Sequence, residues 1–501
     1  MLFVEGQRPT REQLIELAKS DPGAIADLVL ALWDRVEMLE AKVAALERNS
    51  RTSSKPPSSD SGNFTNPPKP KSLRKKSGRR PGGQRGHPGD TLRQTDTPDH
   101  VIEHRLASEA RCPQCGALLG ERHEPFDPAC SCECRQVFEL PAIRLEVTEH
   151  RAEKRVCEDC GAVVRAAFPD GVGAPVQYGP RVEATALYLG GYQLMPYQRL
   201  GECFAELFDC PLSTGTLANM VKRAGQKAAR AVGPIREALV EAKVAHGDET
   251  SCRLHGKRHW MHVFSTGRLT ALHLDAKRGV EGMERAGLLQ RFTGALVHDF
   301  LSSYYRFEGI AHFLCNAHLL RELTYLHEEM DQPWAKKMID LLIEAKDLSD
   351  RQKALPEGSR RVIGEKTRLR IQQRYCDIVL EGLALNPEPP PPPGGGRPKR
   401  GKPLNLLIRL EERYEEIMGF FEYDHVPFDN NQAERDLRMM KTREKISGTF
   451  RSKDHAAAFC DLRSVISTAR KQSRDILETL RQLIGSPDAL GADLAQGGLP
   501  G

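Results

Sequence analysis

The sequence predicts a multidomain protein that combines an α/β domain with helical segments. The chain has 501 residues, which is enough for about three domains. Between about residues 242 and 300 the apolar pattern changes from the helical period to the period of β-strands, and it then returns to the helical period. A basic stretch near the start and a proline-glycine stretch at 387–403 cannot bury a core and interrupt the pattern.

The bulk composition says little about partners, because 73 Lys and Arg face 68 Asp and Glu and the net charge is only +5. The first residues lack the basic start and apolar core of a signal peptide, and no stretch approaches the roughly 20 apolar residues of a membrane span. The 13 cysteines therefore indicate thiols or metal ligands rather than disulfides. We expect a cytoplasmic protein with no membrane partner.

Residues 1–50 are expected to form an N-terminal helix that pairs as a coiled coil. Valine at one core position with mainly leucine at the other favours a parallel two-stranded coil, hence a homodimer. About three heptads are marginal for an isolated coil, so an amphipathic helix packed on its own domain is the alternative. The heptad core positions are Ile25, Val29, Leu32, Val36, Leu39, Val43 and Leu46.

Residues 51–99 are expected to form a disordered basic linker. No acidic residue occurs between Asp60 and Asp90, and a stretch so rich in proline, glycine and serine cannot build a core. Such an arm would be drawn to a polyanion with salt-sensitive affinity, the alternative being a solvated linker. Its candidate DNA-binding residues are Lys75, Lys76, Arg79, Arg80 and Arg85.

Two cysteine pairs in residues 100–170 predict a zinc finger. CPQCG carries Cys112 and Cys115, and CEDCG carries Cys157 and Cys160. In each pair a tight turn ending in glycine would point both thiolates at one tetrahedral Zn²⁺, which would replace a core that this segment is too small to build. The CSCEC run complicates the ligand set, because Cys130, Cys132 and Cys134 are either spare thiols or alternative ligands.

Helical and strand patterns alternate through the rest of the chain. Residues 171–241 read as helices, with Ser213 or Thr214 capping one of them. Strand-length runs follow at 242–249, 259–266, 269–276 and 294–300, with a hairpin turn at 267–268. Helical patterns return at 334–385, 404–423 and 430–484.

Three acidic residues are candidates for a shared metal site. Asp248 and Asp299 each follow an apolar run and would lie at the ends of neighbouring strands. Glu434 would enter from a helix capped near Asp429. Carboxylate oxygens suit Mg²⁺ or Mn²⁺, but with 68 acidic residues in the chain such a triplet could also arise by chance.

Several basic residues flank these acids. Arg438 and Lys441 share a helix face with Glu434, and Arg443 and Arg451 follow, where they would grip a DNA backbone or form a solvated face. His318 and Arg321 would lie near the second aspartate and contact phosphate, the alternative being a capping or core role. Cys315 and His318 form a C-x₂-H pair for which the sequence offers no partner pair of metal ligands.

The order of these motifs resembles the insertion-sequence-66 family of bacterial transposases. The phrases that carry the resemblance span roughly residues 25–485: RNSRTSSKPPSSDS, GRRPGGQRGHPG, CPQCG, CEDCG, HGDET, VHDFLSSY, LCNAHLLREL and DNNQAERDLRMMKTREKISGTFRS. The resemblance implies a ribonuclease-H-like core of the Asp-Asp-Glu type, with Asp248, Asp299 and Glu434 as the catalytic acids. The spacing of 135 positions from Asp299 to Glu434 then implies a helical insertion at about 330–425.

The resemblance also sets the expected organisation and function. The coiled coil, linker and zinc finger would precede a helical DNA-binding region at 171–241, a catalytic domain at 242–486 and a disordered tail at 487–501. The protein would bind terminal inverted repeats, cleave at the ends of the element and join 3′-hydroxyls to target DNA, using two Mg²⁺ or Mn²⁺ ions. Accessory proteins of the element are further candidate partners. A non-catalytic zinc-finger regulator and an inactive transposase copy are the alternatives.

Overall fold

The computed structural model describes residues 11–23, 92–104, 106–107, 109–119, 133–141, 143–356, 363–392 and 400–497, with positions 26, 30, 33, 36 and 398. Contacts divide the chain into two units, residues 70–146 and the remainder. Of the heptad core positions, Val36 alone is described; it is helical and 52% exposed. The other heptad positions, the five basic residues predicted in the linker, Cys130 and Cys132 lie outside the described residues.

The strands of the described residues form a hairpin and a larger sheet. The hairpin pairs β1 (Lys154–Val156) with β2 (Val163–Arg165). The larger sheet contains β3 (Val244–Leu254), β4 (Lys257–Ser265), β5 (Thr270–Asp275), β6 (Ala295–His298) and β7 (Ala311–Leu314). The sequence patterns predicted β3 to β6 but not β7, which is as short as β6.

The helices of the described residues mostly lie where the sequence patterns predicted helices, except at 280–286, 316–329 and 487–496. They are α1 (Arg11–Ser20), α2 (Pro180–Leu187), α3 (Tyr197–Phe208), α4 (Thr214–Val240), α5 (Val280–Ala286), α6 (Asn316–Glu329), α7 (Pro333–Lys353), α8 (Glu365–Leu385), α9 (Lys402–Glu412), α10 (Tyr414–Glu422), α11 (Asn431–Ser447), α12 (Lys453–Lys471), α13 (Ile476–Gly485) and α14 (Pro487–Gln496). A π-helical turn at Tyr188–Tyr192 continues α2, and a 3₁₀ turn occupies Ser302–Arg306. No described helix is long and apolar enough to cross a membrane.

The larger sheet is mixed, with strand order β5-β4-β3-β6-β7. β3, β4 and β5 form an antiparallel meander, as the predicted turn at 267–268 requires, while β6 and β7 run parallel to β3. A mixed five-stranded sheet surrounded by helices is compatible with a ribonuclease-H-like core. β3 is the first strand of this sheet in the sequence, and it lies at the centre of the sheet with a hydrogen-bonded strand on each side.

Side chains on opposite faces of the sheet enter different hydrophobic clusters. On one face, Ala245 and Leu296 join a cluster with α4, α12, α13 and α14. On the other face, Val297 joins the helices of residues 316–422, and Met261 and Val263 join α11. Because successive residues of a strand alternate between faces, one strand supports both layers.

The helices of residues 333–422 share one core with the edge of the sheet. Trp334, Tyr375, Leu407 and Phe420 are buried in it, together with Phe313 of β7. Gly419 allows the close approach, because a side chain there would collide with the Phe313 ring. This helical subdomain lies between Asp299 and Glu434 in sequence, where the long spacing predicted an insertion.

Residues 171–241 are not separate from the larger sheet, although the sequence had predicted a helical DNA-binding region there. The long helix α4 buries Ala228, Ala231, Ile235 and Leu239 in the same cluster as Ala245 of β3. Its N-cap is Ser213, one of the two candidates in the sequence, whose hydroxyl accepts a hydrogen bond from the Thr216 amide at 3.0 Å. α4 is therefore a layer of the main core, because its alanine-rich face packs too closely for an independent domain.

The predicted disordered tail at 487–501 is wrong over its first ten residues, which form α14. Leu490 and Leu494 are buried in the main cluster. Gly491 lies against Ala231 of α4, where a Cβ atom would come within 2.6 Å of the Ala231 carbonyl oxygen. The segment is rich in glycine and other small residues, which is why its sequence resembled a disordered tail. In the structure the same small residues allow the helix to pack closely against α4.

Truncation of a buried leucine in α14 tests this packing. Leu494 is fully buried, so Leu494→Ala should lower the free energy of unfolding by about 2–5 kcal/mol, as expected for a large cavity in a core. Leu385→Ala is the matched control, because Leu385 is 55% exposed and its loss should cost less than about 0.5 kcal/mol. Chemical denaturation measures both. Equal, small effects would show that residues 487–496 are not packed.

Candidate active site

Asp248 lies within β3. The sequence had suggested that it would lie at the end of a strand. β3 continues to Leu254 because its polar residues stay paired with β4, with Asp248 opposite Val263. On the other side, however, the parallel pairing with β6 ends at His246 and Val297. Asp248 therefore lies two residues beyond the last pair, where the edge of β3 is open next to the end of β6.

Asp299 directly follows β6 and completes a pair of carboxylates at this opening. Its side chain is buried, and Oδ1 accepts a hydrogen bond from the Leu301 amide at 2.9 Å. Carboxylate oxygens of Asp248, Glu249 and Asp299 lie within 4.8 Å of one another. A strand and the end of its parallel neighbour thus bring together two acids that are 51 residues apart in the sequence.

Glu434 reaches the same region from the first turn of α11. This helix buries Ala433, Leu437 and Met440 against the β3–β4 face to which Val263 belongs, which fixes the direction of Glu434. Its Oε1 atom is buried and forms no hydrogen bond with any described residue. An unpartnered buried carboxylate oxygen is costly, and it points to a ligand that completes the site.

Asn430, which precedes α11, connects this helix to β3 and to Cys315. Its Nδ2 donates to the Gly247 carbonyl of β3 at 2.7 Å, and its Oδ1 lies 2.9 Å from Nδ1 of His246. Its backbone amide donates to Sγ of Cys315 at 3.1 Å. Asn430 is fully buried, and it is the N-cap where the sequence had suggested Asp429.

The electrostatic environment disfavours ionisation of all three acids. Burial raises the pKa of Asp248 well above its ordinary value, and the charges of Glu249 and Asp299 raise it further. Burial and then the charge of Glu249 raise the pKa of Asp299 to about 6. Burial also raises the pKa of Glu434, against the opposing effect of Arg321. Clustered carboxylates with these shifts are suited to a divalent cation with oxygen ligands, such as Mg²⁺ or Mn²⁺.

Comparison with known families identifies the chain. Residues 175–458, more than half of its length, match the profile described as the Transposase IS66 family. The chain belongs to the IS66 transposase family. Membership supports a transposase-type enzyme, which would be expected to bind DNA and to use a divalent metal. A family of unknown function matches residues 14–93, and no curated protein matches the chain.

A buried network behind the transposase's two aspartates was missed by the sequence analysis. Glu249 accepts hydrogen bonds from Arg278 Nε at 2.8 Å and from the Tyr304 hydroxyl at 2.9 Å. Arg278 also lies 3.9 Å from Asp299 and stacks on Trp260. The HGDET phrase contains Glu249, but nothing in the phrase indicates the partners of this residue. Arg278 lies in a loop and Tyr304 lies in the 3₁₀ turn, and the sequence patterns gave no sign that either residue would pair with Glu249.

His318 and Arg321 contact Glu434, whereas the sequence had suggested the second aspartate. Nε2 of His318 lies 3.6 Å from Glu434 Oε1, and Nη2 of Arg321 lies 4.0 Å from the same atom. Both residues project from α6. The start of this helix is held next to α11 by the hydrogen bond from the Asn430 amide to Sγ of Cys315. Burial lowers the pKa of His318 to about 4, so its imidazole is neutral near pH 7.

The four basic residues predicted around Glu434 have different surroundings. Arg438 and Arg451 are exposed. Lys441 donates to the Ser251 carbonyl of β3 at 2.7 Å, so it is tied to the sheet. The Arg443 guanidinium stacks on the Phe450 ring at 3.6 Å and is half-buried. Spacing along the helix placed these residues, but it could not show which of them turn inward.

The two cysteine pairs, hereafter the knuckles Cys112–Gly116 and Cys157–Gly161, have the same backbone geometry. In each, the glycine amide donates to the first cysteine's carbonyl at 2.9 Å, and the glycine has a positive φ near 70°. In each, backbone hydrogen bonds lower the pKa of the first thiol, Cys112 or Cys157. Such turns favour the thiolate, which is the form that binds metal.

The raised pKa of Asp299 predicts how pH and metal affect stability. Because the folded state holds this proton up to about pH 6, against an ordinary value of 3.8, unfolding should become easier as the pH rises from about 4 through 6. In metal-free buffer at pH 7.5, Asp299→Asn should therefore stabilise the protein by about 1–3 kcal/mol. Thermal unfolding with and without Mn²⁺ checks this, since the variant should also lose the stabilisation by the ion.

Asp424→Asn is the control for this experiment, because Asp424 is an exposed carboxylate outside the site. It should leave the unfolding temperature and its response to Mn²⁺ unchanged. A destabilised Asp299→Asn variant with an intact Mn²⁺ response would contradict the electrostatic account of the site.

Proposed function

We propose that this protein is a DNA transposase that binds the terminal inverted repeats of its element, cleaves at the ends and joins the 3′-hydroxyls to target DNA. Asp248, Asp299 and Glu434 are the proposed ligands of two Mg²⁺ or Mn²⁺ ions. The observation that carries the proposal is the convergence of these acids from β3, the end of β6 and α11. Their raised pKa values and the unpartnered Oε1 atom of Glu434 support it.

Each residue of the site has a distinct part in this chemistry. Two bound ions would activate the attacking oxygen and stabilise the leaving 3′ oxygen of an in-line displacement. Asp248, on the central strand, supplies a rigid carboxylate, and Asp299 supplies a second one held by the Leu301 amide. Glu434 is oriented by the packing of α11. Arg278 offsets the charge of Glu249, so that this buried acid does not compete for the ions.

The DNA would lie along the side of α11 that faces solvent. Arg438 and Arg451 are exposed there and are the proposed phosphate contacts of this helix. Arg321, which is 41% exposed near Glu434, is placed to contact the scissile phosphate. Lys441 and Arg443 are assigned to the stability of the fold instead, because both are held by other parts of the protein.

The knuckles are proposed to serve structural Zn²⁺, with Cys112, Cys115, Cys157 and Cys160 as ligands. The repeated turn geometry and the lowered thiol pKa values support this assignment. The basic linker with Lys75, Lys76, Arg79, Arg80 and Arg85, and dimerisation through residues 1–50, are proposed from the sequence. A non-catalytic zinc-finger regulator would need the knuckles but would have no use for the acidic site.

Substitution of one acid separates the enzyme from the regulator and from an inactive copy. In a cleavage and strand-transfer assay with the element's ends and Mg²⁺, Asp248→Asn and Glu434→Gln should each reduce the rate by about 10³-fold or more. Losing a metal ligand removes several kcal/mol of transition-state stabilisation. Binding of the DNA ends, measured by fluorescence anisotropy, should persist. Asp424→Asn is the control, and undiminished cleavage by Asp248→Asn would show that the acids are not catalytic.

Elemental analysis tests the zinc assignment independently. The purified protein should retain about one tightly bound Zn²⁺ per chain after dialysis, and Cys112→Ser or Cys157→Ser should each release it. Cys376→Ser, which alters an exposed cysteine outside the knuckles, should retain the ion. Zinc content that is well below one per chain in the parent protein would refute the structural role.

A further inference from the structure

A second cluster of potential metal ligands adjoins the acidic site and shares Glu434 with it. Cys315, His318 and Glu434 each offer one ligand atom, and these atoms lie within 4.8 Å of one another. Cys315 and His318 are three residues apart at the start of α6 and face the same side of that helix. Glu434 approaches from α11. The sequence showed only the C-x₂-H pair, because its third member lies 116 residues away from His318.

Two buried atoms in this cluster have no hydrogen-bond partner among the described residues. They are Oε1 of Glu434 and Nδ1 of His318. The side chain of His318 is 11% exposed, and Cys315 is fully buried. Buried polar groups are nearly always satisfied, so the unpartnered Oε1 atom of Glu434, which lies 3.6 Å from Nε2 of His318, points to a missing ligand.

The donor set differs in kind from that of the acidic pair. Asp248 and Asp299 offer oxygen alone, which suits Mg²⁺ and Mn²⁺. Cys315, His318 and Glu434 offer sulfur, nitrogen and oxygen, which select Zn²⁺ and similar thiophilic ions. Three protein ligands with a fourth position open to water are common for zinc in proteins. On binding, the Cys315 thiol would release its proton to the solvent.

We propose that Cys315, His318 and Glu434 form a binding site for a thiophilic divalent cation of the Zn²⁺ class, and that an ion there withdraws Glu434 from the acidic pair. The site would be inhibitory, since Glu434 cannot orient its carboxylate toward both positions at once. Its inhibitory role rests on the proposed transposase function, whereas the existence of the site does not.

The fold supports such a competition between two ion positions. Glu434 stands in the first turn of α11, its Oε1 atom lies 3.6 Å from Nε2 of His318, and the charge of Asp299 is near enough to raise the pKa of its carboxyl. Asn430 ties α11 to β3 and to Cys315 alike, so both sets of ligands keep their positions when the carboxylate turns.

Cobalt binding to the full-length protein tests the site without DNA. Co²⁺ replaces Zn²⁺ and reports each thiolate ligand by its absorption. The parent protein should bind one more Co²⁺ per chain than Cys315→Ser, in addition to the ion held by the knuckles, and His318→Gln should weaken the binding of this additional Co²⁺ at least about tenfold. Cys315→Ser keeps an acceptor for the Asn430 amide, so its fold should persist, which circular dichroism verifies. Cys376→Ser is the matched cysteine control.

Two further arms make the result decisive. Asp248→Asn should leave this Co²⁺ ion in place; its loss would assign the ion to the acidic pair and overturn the proposal. Equal Co²⁺ stoichiometry in the parent protein and Cys315→Ser would overturn it as well. In the Mg²⁺-dependent cleavage assay, Cys315→Ser should raise the Zn²⁺ concentration for half-inhibition at least about tenfold. Failure of the proposed function is recognised separately, by full cleavage activity of Asp248→Asn.

Discussion

The arrangement of the site depends on the hydrogen bonds of Asn430. The backbone and side chain of this one buried residue connect the central strand β3, the start of α6 and the start of α11. Asp248 is the residue after Gly247, whose carbonyl accepts a hydrogen bond from Asn430. Glu434 lies four residues after Asn430. The distance between two acids that are 186 residues apart in the sequence is therefore set by a few polar contacts in a dry environment. In such an environment hydrogen bonds are strong and a lost partner is costly, which makes the geometry rigid.

The acids themselves work against the stability of the fold. Their burial and mutual repulsion raise the pKa values of Asp248, Asp299 and Glu434, so the metal-free protein either keeps protons or stores electrostatic strain near pH 7. The hydrophobic layers on both faces of the sheet and the Glu249–Arg278 ion pair offset that cost. A functional site that is unfavourable without its ligand is a common arrangement in enzymes, and here it explains why a cation would be bound.

Local patterns in the sequence predicted the strands β3 to β6, most of the helices, the Ser213 cap and the three candidate acids. They failed where the outcome depends on partners that are distant in the sequence. Asp248 stays inside β3 because β4 pairs along the whole strand. α14 forms because Leu490 and Leu494 find the alanine-rich face of α4. Arg443 is half-buried because its guanidinium stacks on the Phe450 ring. No property of those segments alone distinguishes these outcomes from a strand end, a tail or a DNA contact.

The central claim is that Asp248, Asp299 and Glu434 share divalent metal ions. The most direct measurement is the anomalous scattering of Mn²⁺ in crystals of the full-length protein soaked at pH 7.5. The account predicts peaks between the end of β6 and the first turn of α11, at about 2 Å from carboxylate oxygens of all three residues. Peaks that avoid Glu434, or an acidic site that stays empty at saturating Mn²⁺, would contradict it.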